Sequence, residues 1–483
     1  MKTITITIYL IFCAVYVSNG QANIFNRVYD DFHLADLRNI IEYNEGYVAL
    51  GGGRLLENPT GKVKIILLHV DYQGNTVWTK SYGNEIYNYY HGTRNSLIEN
   101  SDEGYSLAGS QNNDTINACM LMKFDQNFDT LWTKLYFDNA NFTVFYNHIQ
   151  TTDGGYALVG THDEDDPDGD VLLVKTDSEG NMLWYKKYGT SARDMGLCII
   201  ETGDDGYLIG GDTRGLGNGN GYLLKTDANG NLQWTKNYGN SLYPDGTIHS
   251  IVKTPDNEYI IPLTSYVTDP ISASFYNRKY NIIKLDSDFN EIWNKQYGIR
   301  AEYTSLATVT VASDGSIWAT IKDDRNVGLF HLSSDGDSIS KHYYSAEGSI
   351  GDRSLLSIRQ TQDSGFIMAG VAFEPQVMWL VKTDSCGCVV EDCECGGSAV
   401  EQFTEELEIV VYPNPAKDVL YFNLPENTKN VRVEIYDNLG RQLITNELLG
   451  WENSVDVKQL KAGNYFVRIV SAEESWSGWF VKE

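Results

Sequence analysis

The residues with the most chemistry in them gather in three places. Between Thr161 and Asp170, THDEDDPDGD sets Asp163, Asp165, Asp166, Asp168 and Asp170 in one short loop, with Gly169 available for a sharp turn. Hard carboxylate oxygens so closely spaced suit calcium, the one candidate cofactor here, against the plainer reading of a solvated acidic loop. The loop is no EF-hand: counted from Asp163, its fifth position is Pro167 and its twelfth, where a Glu should close the site, is Val174. Farther along, CGCVVEDCEC gathers Cys386, Cys388, Cys393 and Cys395. Four thiolates can hold zinc, but Cys-x-Cys pairs depart from the Cys-x-x-Cys of zinc knuckles. In an oxidising compartment two disulfides are the expectation, with their connectivity open. Cys119 and Cys198 lie in apolar runs and read as buried thiols.

The third group is spread over loops that vary between otherwise similar segments: Tyr87, Tyr89, Tyr90 and His91; Phe145, Tyr146 and His148; Tyr243, Asp245 and His249; Glu302 and Tyr303; Asp352 and Arg353. Aromatic faces beside carboxylates and amides stack on and hydrogen-bond to sugar rings or peptide side chains. Taken singly, each is also what a packed loop residue looks like. No G-x-S-x-G, H-E-x-x-H or phosphate-binding loop occurs. Two readings therefore stand: a binding or adhesion surface for glycan or protein, or a polysaccharide-active hydrolase or lyase using acidic residues of this face.

The elements that must position these loops come from a repeat. A turn followed by an apolar strand recurs as EGYVALGG at Gly46, EGYSLAGS at Gly104, GGYALVG at Gly155, DGYLIGG at Gly206, NEYIIPL at Glu258, DGSIWAT at Gly315 and SGFIMAG at Gly365, at intervals of 50 to 58 residues. Most copies continue with an apolar run ending in Lys and Asp (LLVKTD, YLLKTD, WLVKTD), a polar turn and a tryptophan strand such as LWYKKYG or QWTKNYG. With the apolar run before each turn, this makes four strands per unit. Four short strands at such a period are the mark of propeller blades, since one sheet cannot bury both faces without neighbours. Seven copies predict an all-β, seven-bladed β-propeller over residues 21–385. The last copy lacks a tryptophan strand, and IFNRVYD (24–30) matches IWNKQYG, so the N-terminal strand is expected to complete the last blade. The aromatic, Lys and Tyr of the tryptophan strands recur in blade after blade, which predicts packing rather than chemistry. The turn D-x-x-G-x-x-x-W differs in spacing from both quinoprotein tryptophan motifs and the sialidase Asp-box.

Residues 1–20 carry Lys2, an uncharged apolar run from Ile4 to Val17, then Ser18 and Gly20, and read as a signal peptide. Phe12 before Cys13 is bulkier than lipoprotein processing favours, and no later run is long enough for a transmembrane segment. The formal charge of -28 excludes nucleic acid and anionic membranes as natural partners. After a Cys-rich linker at 386–407, residues 408–483 change pattern to EIVVYPNPAKDVLYF, VRVEIYDNLGRQLI, SVDVKQL, NYFVRIV and WSGWFVKE, which fit a small Ig-like β-sandwich.

That last segment resembles the C-terminal sorting domain (type A) of type IX secretion cargo of Bacteroidetes. The resemblance rests on Tyr412, Pro413, Asn414 and Pro415, the turn at Gly440, the LKAGNYFVRI segment at Gly463 and the basic, apolar end at Lys482. It implies export, recognition by the type IX translocon, and commonly removal by a sortase, leaving a secreted or surface-held product. Glu483 after Lys482 departs mildly from the pattern and leaves the cleavage step in doubt.

Overall fold

Apolar runs of about seven residues, separated by turns that place one residue in the left-handed region, yield strands and turns; there is no helix among the described residues. The computed structural model describes residues 23–483 except 114, 138–142, 164–168, 191, 215–219, 239–245, 269–275, 302–304, 324–325, 347, 350, 391–405, 409–410, 423–430, 437–441, 449–452 and 471–474. The chain divides into two units, Met1–Cys395 and Gly396–Glu483.

The first unit holds seven antiparallel sheets in which consecutive strands pair in chain order. The third, Thr143–Gln150, Tyr156–His162, Asp170–Thr176 and Met182–Tyr188, shows the pattern. Its second strand is buried throughout and its fourth is mostly exposed. A strand sandwiched between neighbouring sheets must be apolar on both faces, while the outermost one meets water. In the second sheet the first strand is split, with Asn88–His91 and Leu97–Glu99 both pairing to Tyr105–Asn112. In the seventh sheet, Phe25–Tyr29 pairs with Val377–Thr383, so the chain's first strand completes its last sheet.

Seven apolar cores lie between successive sheets. One joins Val48 and Leu67 of the first sheet to Leu107 and Met122 of the second, and the series runs on pair by pair. The remaining core joins Phe25, Ile367 and Leu380 of the seventh sheet to Leu37, Tyr47 and Leu68 of the first, which closes the ring. The unit is thus a β-propeller, and closure leaves no sheet face unpaired.

The repeated side chains are the fastenings. In four sheets the tyrosine near the end of the outer strand donates from its hydroxyl to the carbonyl of the left-handed turn residue in the next sheet: Tyr82 to Phe128, Tyr136 to Gly180, Tyr188 to Gly230, Tyr297 to Gly336. Tyr29 does the same to Gly74 at 2.7 Å, so the N-terminal strand carries the same fastening as the others. At Gly180 φ is +75°, and a Cβ there would approach the Trp132 ring of the preceding sheet to 2.7 Å. That accounts for the D-x-x-G-x-x-x-W spacing as a turn that seats its neighbour's tryptophan. The Lys of the K-T-D runs is buried and paired within its own sheet, Lys175 with Asp153 at 2.8 Å and Lys382 with Asp363 at 2.9 Å. At the far end of the first strands, Glu201 accepts from the Thr152 amide and Glu42 from the Gln362 amide, again tying one sheet to the next.

The second unit packs a five-stranded sheet against a three-stranded one around Phe422, Val433, Ile435, Val467 and Phe480, a small β-sandwich. Glu406–Glu408 runs parallel to Ser475–Lys482, and the other pairings are antiparallel.

Candidate functional site

The inner strand of each propeller sheet carries the features that shape a site. In five sheets this strand is interrupted by a one-residue shift at the same level: Leu37/Asn39, Phe145/Asn147, Gly196/Cys198, Leu306/Thr308 and Leu355/Ser357. In the second sheet the equivalent place is the break between Asn88–His91 and Leu97–Glu99. A bulge leaves its extra residue unpaired and re-aims it. The extra residues include Arg38 and Tyr146, and the break supplies Thr93 and Arg94. The residue after the bulge turns back to tie the ring: Asn39 donates to the Leu97 carbonyl at 3.0 Å and Asn147 to the Arg94 carbonyl at 2.8 Å.

At this level the first, second, third and seventh sheets enclose a cavity of about 520 Å³. Tyr89, Tyr90, His91 and Tyr146 come together in its wall, joined by Asp36, Arg38 and Arg54. Tyr90 is 39 % exposed, whereas the Tyr89 hydroxyl is held by the Asn84 amide at 3.1 Å. Burial raises the pKa of both Tyr89 and Tyr146, so each presents a neutral phenol. Arg38 Nε donates to Asp36 Oδ2 at 2.7 Å, and His91 Nε2 stands 3.8 Å from Asp36 Oδ1. Burial alone would raise the Asp36 carboxyl, but hydrogen bonding and charge from His91 and from Arg38 outweigh it and hold the group well below the usual carboxylate range. Gly52 keeps the floor open, for a Cβ there would lie 3.3 Å from His91 Nε2.

Asp36, Arg38 and Arg54 were not among the residues singled out from sequence. Asp36 and Arg38 sit two apart in the strand FHLADLRNIIEY, where their alternation with Ala35 and Leu37 was the available signal. Other candidates lie elsewhere. His148 is buried, its Nε2 is 2.8 Å from Ser106 Oγ, and burial pushes it down to about 3, so it is a neutral packing residue. His249 does not line the cavity; burial, and then Arg94 and Arg38, push its pKa well down. Asp352 is paired with Lys322 at 2.5 Å, and Arg353 donates to the Ser349 carbonyl at 2.6 Å; neither lines the cavity. Phe145 is core. Asp245 and Tyr303, with Tyr243 and Glu302, lie outside the described residues.

Of the acidic loop, Asp165, Asp166 and Asp168 lie outside the described residues, and Asp163 and Asp170 flank them. Among the described residues no group of three His, Cys, Asp or Glu is arranged to hold a metal. Cys386 and Cys388 are disulfide-bonded, while Cys393 and Cys395 lie outside the described residues. Asp384 Oδ1 accepts from the amides of Cys386 and Cys388, the same turn that Asp177 makes with Glu179 and Asn181. The Gly387 carbonyl accepts from Tyr344, so the start of the Cys-rich segment holds the place that the outer hairpin turn holds in the other sheets. Cys119 and Cys198 are free and buried.

In the second unit the Y-P-N-P motif and the chain's last residues form one structure. Asn414 Oδ1 accepts from the Val481 amide at 2.8 Å, Ala416 donates to the Val481 carbonyl at 2.7 Å, and Glu483 donates to Ala416 at 2.9 Å. Tyr412 stacks on Tyr421 at 5.9 Å, and Gly463 pairs with Lys482. Gly440 lies outside the described residues.

The first unit is thus a repeat β-propeller and the second a small sandwich closed by this clamp. Residues 410–483 match the family described as the secretion system C-terminal sorting domain, so this segment is a type IX sorting domain and the protein is handled by that machinery and reaches the cell surface or the medium. No curated protein matches the sequence. Among solved structures the chain is similar to a protein of unknown function from Bacteroides caccae, at 11 % identity over 58 % of this chain and 90 % of that one, with a TM-score of 0.37. It is also similar to the extracellular domain of a putative hybrid two-component system from B. thetaiotaomicron, at 12 % identity, 95 % of this chain and TM-score 0.44, spanning 59 % of that chain. A third likeness is the β-propeller domain of the Trilobed protease from Pyrococcus furiosus, at 11 % identity over 78 % of this chain and 99 % of that one, with a TM-score of 0.41. No helix among the described residues is long and apolar enough to cross a membrane.

Proposed function

We propose that the propeller is the working part of this exported protein and binds a saccharide in the cavity between its first, second, third and seventh sheets. The carrying observation is the convergence of Tyr89, Tyr90, His91 and Tyr146, from two different sheets, on one concave space of about 520 Å³. That volume lies within the range of about 300–1,000 Å³ usual for small-ligand sites, and phenol faces beside arginine and amide donors suit the alternating apolar and hydroxyl surfaces of a sugar ring. A flat protein partner would instead need roughly 800 Å² of matched surface on each side. Binding is favoured over hydrolysis because Asp36 is the single carboxylate lining the cavity among the described residues, and it is ionised and ion-paired. Hydrolysis by an acid and base pair needs a second carboxyl group and a protonated one. The test is a polysaccharide array probed with the exported protein, with and without calcium, followed by product analysis. Retention without products, lost on Tyr90→Ala, supports the reading, whereas released products or binding indifferent to Tyr90 overturns it.

A further inference from the structure

The two arginines of the cavity are held in an unusual and informative way. A guanidinium has five N–H donors in a fixed planar fork. Arg38 uses its Nε on Asp36 Oδ2 at 2.7 Å, and Arg54 uses its Nε on the Gly61 carbonyl at 3.0 Å. Among the described residues no further hydrogen bond engages the Nη groups of either. Both side chains line the cavity, and that of Arg38 is 44 % exposed. Each arginine is therefore anchored at its inner nitrogen, and its outer pair is left for a guest. The outer edge is the one that meets a planar or tetrahedral oxyanion with two parallel hydrogen bonds.

The charge around this point is positive, although the chain as a whole carries -28. Arg94 adds a third guanidinium from the break in the second sheet, next to the cavity-lining Thr93, whose hydroxyl is fixed on the Tyr146 and Leu197 carbonyls at 3.2 and 3.3 Å. Burial first, and then the charge of Arg38, bring the Arg94 guanidinium down to about 9, so the two cations lie within electrostatic reach of one another. Against these stands the one lining carboxylate, Asp36, already neutralised by Arg38. The acidic body repels polyanions over distances that salt screens beyond about 8 Å, whereas the arginine forks act at contact.

We propose that the cavity selects saccharides bearing an oxyanion, a uronate carboxylate or a sulfate ester, which docks on the outer nitrogens of Arg54 and Arg38 while the sugar ring lies on Tyr90 and Tyr146. This rests on the saccharide reading of the same cavity and names the substrate class. The asymmetry of the lining carries it: a neutral sugar hydroxyl uses one guanidinium donor at a time, whereas an oxyanion takes up the paired outer donors of an anchored guanidinium together and meets its charge.

The experiment is calorimetric titration of the full-length protein with galacturonate and glucuronate oligomers, with the same oligomers after their carboxyl groups are reduced to alcohols, and with sulfated neutral galactan oligomers. The wild type is expected to bind a uronate or sulfated oligomer about ten- to a hundredfold more tightly than the neutral counterpart, the worth of hydrogen bonds to a charged group. Arg54→Gln should abolish that difference with an unchanged melting temperature. A response to uronates alone identifies the carboxylate as the source, and a response to sulfated galactan alone identifies the sulfate. The acidic and reduced comparison in the wild type needs no variant, so a misfolded Arg54→Gln protein leaves the test intact. Equal affinity for acidic and reduced oligomers overturns this inference and leaves saccharide binding standing. No binding to any of the three classes overturns both.

Discussion

If the ring is held by its first strand, the double variant Phe25→Ala, Tyr29→Phe should loosen the whole propeller, although both residues lie on the outermost strand of the seventh sheet and neither lines the cavity. Phe25 is 6 % exposed, lies over Gly74 and is 6.3 Å from the Tyr47 ring. Truncating a buried phenylalanine to alanine costs about 3–5 kcal/mol. Tyr29 donates at 2.7 Å to the buried Gly74 carbonyl, and losing that bond costs about 1–2 kcal/mol. The two side chains belong to one core, so their effects fall somewhat short of additive, and a loss of about 4–6 kcal/mol is expected. Against a typical domain stability of about 5–15 kcal/mol this is a large share. The assay is urea unfolding followed by tryptophan fluorescence, with Val77→Ala as control. Val77 is 54 % exposed on an outer strand, and such changes stay within about 0.5 kcal/mol. A double variant whose midpoint moves no further than the control's would refute the view that Phe25–Tyr29 closes the ring.

Three further outcomes follow from the same contacts. Asp363→Ala leaves the buried Lys382 ammonium without its carboxylate and should cost about 2–4 kcal/mol in urea unfolding, less than for a fully buried pair because Asp363 is 38 % exposed; adding Lys382→Met should restore most of it. Asp153 and Asp204 are opposed by burial but carried down to about 2 by Lys175, Lys225 and neighbouring hydroxyls and amides. Their folded pKa lies below the unfolded one, so the stability they add is complete above about pH 4 and is lost as pH falls towards 2. Urea midpoints measured from pH 5 to 2.5 should fall in that window, and the Asp153→Asn, Asp204→Asn variant should show a shallower fall. Asn414→Ala removes the acceptor that ties the Y-P-N-P motif to the Val481 amide, and the fraction of protein recovered outside the cell should drop while its periplasmic fraction rises.

The parts of this molecule that were legible in the sequence are those in which one physical requirement repeats. A buried second strand, a left-handed turn residue and an outer tyrosine that must find a carbonyl recur in register, and seven weak patterns add to one strong one. The propeller was read in that way, whereas the sorting domain was read from its resemblance to a known family, whose Y-P-N-P motif and C-terminal end are tied in the structure by Asn414 and Val481. The cavity depends on departures from the repeat. Tyr89, Tyr90, His91 and Tyr146 were visible because aromatic residues clustered where the sequence varied. Asp36, Arg38 and Arg54 were not. Arg38 faces the cavity because a one-residue bulge turns it out of the ladder, and a bulge leaves no fixed mark in a run such as ADLRNIIEY. His148 misled for the converse reason: it is a polar residue in the same kind of strand, but Ser106 of the neighbouring sheet takes up its Nε2 inside the core. Whether a polar residue of an inner strand becomes core or site is decided by the level of the bulge in its own sheet and by what the neighbouring sheet offers, and both are properties of the closed ring.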